Sequence, residues 1–123
     1  LMNKYRNTDK DIHKRIYQFV VKCFKEVVKN IPKTKENLPI VKQISSSLTS
    51  MGANDQEADG ASSSKDFIAK YMIVRKETKE TKYWLSLIKD TSGLSESIIN
   101  PHIQECHEIQ MIVSKIIENC RNK

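Results

Sequence analysis

Phe67-Ile68-Ala69-Lys70-Tyr71-Met72-Ile73-Val74-Arg75-Lys76-Glu77-Thr78-Lys79-Glu80-Thr81-Lys82-Tyr83-Trp84-Leu85-Ser86-Leu87-Ile88 is the stretch that decides the fold. It contains neither Gly nor Pro, so nothing in it interrupts a helix. Phe67, Tyr71, Val74, Thr78, Thr81, Leu85 and Ile88 recur at alternating intervals of four and three, which places them on one helical stripe. At about 100° per residue, Ile73 and Trp84 point well away from that stripe, and Ile68 and Met72 fall to its other side. Apolar groups thus nearly surround the helix. Such a helix is expected to bury itself against its own bundle and against a second body, most simply another copy of the chain. Ile73 and Trp84 are the candidates for that interface.

The rest of the chain supplies three more amphipathic segments. The first helix is expected over 9–31, opening near Thr8 or Asp9 after a frayed 1–8 and stopping before Pro32. Ile12, Ile16, Phe19, Val20, Cys23, Val27 and Ile31 form its core stripe. The second, 39–59, starts at Pro39 and carries Ile40, Val41, Ile44, Leu48 and Met51 inward. Gly52-Ala53 falls inside this pattern and reads as a place where another backbone comes close; Gly60 reads as the stop. Ser63 and Asp66 have capping-box spacing at the start of the third helix, 64–89. The fourth, 95–120, points Ile99, Ile103, Cys106, Ile109, Val113, Ile116 and Cys120 inward, with Pro101 either restarting or kinking it. With 123 residues and short connections, these segments predict one all-α domain, an antiparallel up-down four-helix bundle.

Composition narrows the function. The net charge is +6, distributed by element: residues 1–42, 43–64, 65–89 and 90–123 carry +7, −3, +4 and −2. Positive charge confined to particular helices is expected where a surface meets a polyanion. Arg15, Gln18, Lys22, Lys25 and Lys29 form a stripe opposite the core of the first helix, suited to tracking phosphates. Arg75, Lys79 and Lys82 form a smaller one on the third. No aromatic side chain interleaves the first stripe, so stacking on single-stranded bases finds no support there. No apolar run approaches the roughly 18 residues that span a bilayer, and residues 1–6 lack an apolar signal core, so a cytoplasmic location is expected.

Catalytic and metal chemistry find little footing. Cys23, Cys106 and Cys120 are in register with apolar positions and read as small buried hydrophobes. His102 and Cys106 share a helix face, but no second cluster completes a zinc site. His13 reads as a solvent-facing helix residue. No phosphate-cradling loop, nucleophile elbow or His-Glu-x-x-His occurs, so neither an enzyme nor a cofactor is expected.

Two stretches carry a resemblance. Ser50-Met51-Gly52-Ala53-Asn54-Asp55-Gln56-Glu57-Ala58 is similar to the Ser-x-x-Ala-Asn-x-x-Glu-Gly/Ala signature of the proteins encoded in intervening sequences of bacterial 23S rRNA genes. Lys65-Asp66-Phe67-Ile68, followed by Lys76 to Leu85 with its Tyr83-Trp84-Leu85 run, resembles that family's third helix. Val74 and Thr78 depart from the small residues usual there, and Pro101 departs from the usual fourth helix. The resemblance spans roughly residues 10–120 and implies an antiparallel four-helix bundle that assembles as a homopentamer; it does not imply an enzyme. Asn54, Glu57, Glu77 and Glu80 would then pair with basic groups of a neighbouring helix or subunit and fix register. A more distant resemblance, to the accessory variability protein of diversity-generating retroelements, implies an alternative role as an adaptor scaffold for a protein partner such as a reverse transcriptase. The leading expectation is RNA or DNA binding by Arg15, Lys22, Lys25 and Lys29, with Arg75, Lys79 and Lys82 secondary.

Overall fold

Helical periodicity is realised in four helices, with no strand among the described residues. The structure is a computed structural model and describes residues 11–122. The expected cap at Thr8 or Asp9 and the frayed 1–8 lie outside them. Helix α1, Ile12–Cys23, is capped by Asp11, whose side chain accepts from Lys14 N–H at 3.1 Å. A π-helical turn, Phe24–Val28, then closes with Lys29 N–H to the Phe24 carbonyl at 3.0 Å. Its cause is the stripe itself: Phe19, Cys23, Val27 and Ile31 are spaced four, four and four, and in a regular α-helix each such step overshoots a full turn by about 40°. The wider π turn absorbs the drift, so all four stay buried.

Helix α2, Leu38–Ala58, has Pro39 in its first turn. Gly52 meets no other backbone; a Cβ there would lie 3.7 Å from Val20 Cγ2, so the expected backbone approach is replaced by a side chain of α1. Gly60 does not take the left-handed conformation expected of a helix-stopping glycine. The chain leaves α2 through successive turn bonds, Asp59 to Gln56, Gly60 to Glu57 and Ala61 to Ala58. Helix α3, Ser64–Thr91, opens on Ser63, which accepts from Asp66 N–H at 3.0 Å; Asp66 answers by accepting from Ser62 N–H at 3.1 Å. It ends before Gly93, whose φ of 82° does use the left-handed region. Helix α4, Glu96–Arg121, runs through Pro101 without a break, so neither a separate turn nor a restart occurs.

Helix α3 packs most broadly on α2 and α4, and α1 lies across the other side of the same pair. Along α2 the partners on α3 descend in number: Ser47 meets Thr81, Met51 meets Thr78, and Glu57 meets Lys70. Along α1 the partners on α4 do likewise, from Glu105 and Glu108 at Arg15 to His102 at Glu26. The core collects Ile12, Ile16, Phe19, Ile44, Leu48, Phe67, Tyr71, Leu85, Ile99, Ile109 and their neighbours. Thr78 and Thr81 are wholly buried within it; each hydroxyl is bonded to the carbonyl four residues back, at 2.7 and 2.9 Å. Ile68, Met72 and Trp84 also pack against this core. Much of the apolar surplus of α3 is therefore absorbed within the protomer, leaving Tyr83 and Ile73 outside, 59% and 39% exposed. Among the described residues no helix is long and apolar enough to cross a membrane.

Candidate nucleic-acid interface

The basic stripe of α1 divides in two. Arg15 grips α4: its Nε and Nη2 donate to the two oxygens of Glu105, each at 2.7 Å, and Nη2 also reaches Glu108 at 2.9 Å. This fork-on-carboxylate geometry, above all the hydrogen bonds to Glu105, holds the guanidinium even more firmly protonated than usual. Its charge is spent inside the protomer, and Arg15 serves to tie α1 to α4. Lys22, Lys25 and Lys29 are exposed and form no ion pair among the described residues. Glu26, set among them on the π turn, turns to α4 and accepts from His102 Nε2 at 3.0 Å. Between the two helices lies a cleft of about 390 Å³, with Phe19 and Pro101 alongside Gln18, Lys22 and the groups just named.

The stripe of α3 is also mixed. Arg75 is half-buried, with Nη2 3.2 Å from Met72 Sδ. Lys79 is exposed. Lys82 Nζ lies 2.9 Å from His107 Nδ1, which accepts if the imidazole proton sits on Nε2. The acids behave differently from one another. Glu57 reaches Lys70 of α3 at 3.6 Å, while Asn54 bonds within its own helix, to the Ser50 carbonyl at 2.9 Å and its hydroxyl at 3.3 Å. Glu77 and Glu80 interact with each other, with Lys76 of the same helix partly offsetting their charge. The protonated Glu80 carboxyl can donate a hydrogen bond to the Glu77 carboxylate, and this, with burial and the Glu77 charge adding, raises it above the ordinary range. At the interface candidates, Ile73 is exposed and Trp84 half-buried, its Nε1 enclosed without an acceptor.

The sequence reading missed one polar cluster. His13 is only partly in solvent: its Nδ1 is 2.6 Å from Oδ2 of Asp55, whose other oxygen accepts from the Tyr71 hydroxyl at 2.6 Å. The cluster joins α1, α2 and α3 at a carboxylate only 1% exposed. A signal was present, since Asp55 falls in register with Ile44, Leu48, Met51 and Ala58 on the buried stripe of α2. The groups considered for zinc are otherwise engaged, His102 with Glu26 and Cys106 Sγ with the Thr78 carbonyl at 3.2 Å. Burial pushes the Cys106 thiol up to about 12 and raises that of Cys23 as well, so both are inert hydrophobes at neutral pH.

A family model described as 23S rRNA-intervening sequence protein matches residues 8–115. The chain belongs to that family. Membership in the 23S rRNA-intervening sequence protein family agrees with an all-α chain of four helices. A solved structure from Bacteroides thetaiotaomicron, described as a protein with unknown function from the S23 ribosomal protein family, superposes with a TM-score of 0.78. It is 32% identical, and the match covers 87% of this chain and 95% of that one. No curated protein matches.

Proposed function

We propose that this family member is a non-enzymatic nucleic-acid-binding protein that holds RNA or DNA by its backbone phosphates. The observation that carries the reading is the exposure of Lys22, Lys25 and Lys29 on one helix, with no internal carboxylate claiming them. Arg15 is left out of the contact set because Glu105 and Glu108 already neutralise it. The descending partner numbers support an antiparallel up-down bundle. Exposed Tyr17, Leu38, Ile73 and Met111 support assembly with further copies, for which a pentamer is the proposed state; the cytoplasm is the proposed location. A ring would repeat the lysine stripe around its circumference and deepen the field that draws in a polyanion.

The test is a filter-binding titration of RNA and DNA at several salt concentrations. On duplex probes, three phosphate contacts predict a slope of log affinity on log salt of about −2 to −3, and Lys22, Lys25 and Lys29 changed together to Glu should abolish duplex binding. Undetectable binding, or binding indifferent to salt, would overturn the proposal.

A further inference from the structure

Two arginines far apart in sequence converge without an acid between them. Arg75 of α3 and Arg121 of α4 both aim Nη2 at Met72 Sδ, at 3.2 and 3.6 Å, so at most about 7 Å separates the two nitrogens. Neither forms an ion pair among the described residues. A thioether is a weak acceptor, so nearly all the donors of both guanidiniums remain unspent. Like charges held this close repel, and an anion seated between them would relieve the repulsion and accept from both.

The arrangement continues along α3. A groove of about 370 Å³ lined by Met72, Arg75, Lys76, Lys79 and Glu80 adjoins one of about 330 Å³ lined by Lys79, Lys82, Tyr83, Ser86 and Gln110. Lys79 lines both, so the two lie side by side along α3 as two halves of a basic trough. From Arg75 to Lys79 to Lys82 the helix rises about 6 and then 4.5 Å, steps that suit successive phosphates of an extended strand. At the far end stands Tyr83, 59% exposed and braced edge-on by Trp84, with centroids 4.9 Å apart at 75°. An open aromatic ring beside a cationic trough stacks on a base that is free of a duplex. The α1 lysines have no such ring among them.

We infer that this trough is a track for single-stranded nucleic acid, with Arg75 and Arg121 clamping one phosphate, Lys79 and Lys82 taking the next, and Tyr83 stacking on a base. The inference rests on the nucleic-acid reading above and deepens it, adding a second surface on the other side of α4 from the lysine stripe. Glu80 is the one acid in the trough and works against the ligand.

Fluorescently labelled single-stranded RNA and DNA of twelve nucleotides, and a duplex of equal length, are titrated into the intact protein. Tyr83→Ala should weaken binding of one or both single strands at least about five-fold and leave the duplex untouched, while Tyr83→Phe binds like wild type. Arg75→Gln with Arg121→Gln should lower the single-strand salt slope by about 0.7 per lost contact, and Glu80→Gln should tighten binding. Unchanged duplex affinity also shows that the variants fold. Single-strand binding unaffected by the Tyr83 and Arg75/Arg121 changes, yet lost with Lys22, Lys25 and Lys29 changed to Glu, would overturn the track and leave the lysine reading standing. Equal loss on single strand and duplex would overturn the assignment to single strands. Absence of binding to any of the probes would overturn both proposals.

Discussion

Tyr71 donates its phenolic hydrogen to Asp55 at 2.6 Å in the interior, where Asp55 also meets His13. A short bond to a buried carboxyl group contributes more than an exposed one, because water cannot take the place of the donor that is removed. Tyr71→Phe is therefore expected to lower stability by about 1–3 kcal/mol in urea denaturation. At another single residue, Glu80 is held above its usual carboxylate value by Glu77. As pH rises past about 4.3, the unfolded chain releases this proton before the folded one does, so the group costs stability above that value and nothing well below it. Glu80→Gln cannot ionise. Its melting temperature should exceed that of wild type at pH 7, with the gap closing towards pH 4; a gap that widens in acid would refute the assigned pairing.

Single helices show a different economy. The π turn at Phe24–Val28 behaves as one residue more than a regular helix needs, inserted where the apolar spacing stays at four. Deleting exposed Lys25 should convert it to α-helix, restore alternating spacing, and leave the melting temperature within a few degrees. Deleting Gln18 would instead rotate Ile12 and Ile16 by about 100° relative to Phe19 and unfold the protein. Circular dichroism melts of the two deletions decide this, and equal damage from both would show that the turn is not a stored insertion. Lys33 reinforces this end of the helix, its Nζ donating to the carbonyls of Val28 and Ile31 at 2.6 and 2.9 Å.

For the molecule as a whole, assembly is the open quantity. Ile68, Met72 and Trp84 find their packing inside the protomer, so the case for further copies shifts to exposed Tyr17, Leu38, Ile73 and Met111. Light scattering of wild type should give a mass several times 14.2 kDa. Ile73→Glu should reduce it, since a charge cannot be buried there without a partner. A monomeric wild type would remove the ring, while the two cationic surfaces, each contained in one protomer, would remain.

Helix number, core stripes and the confinement of positive charge to α1 and α3 were legible in residue spacing alone, because side-chain direction along a helix repeats with a fixed period. The four-four-four spacing from Phe19 to Ile31 and the in-register Asp55 were equally visible, although their meaning needed the packed neighbours. Which cations remain free was not legible. Arg15 and Lys22 look alike on a helical projection, yet only Arg15 has Glu105 and Glu108 opposite it; Arg75 and Arg121 meet only because α3 and α4 cross their side chains over Met72. Periodicity is a property of one segment, whereas neutralisation and convergence depend on which faces of distant segments come within a few ångströms, and that is fixed only when the helices pack.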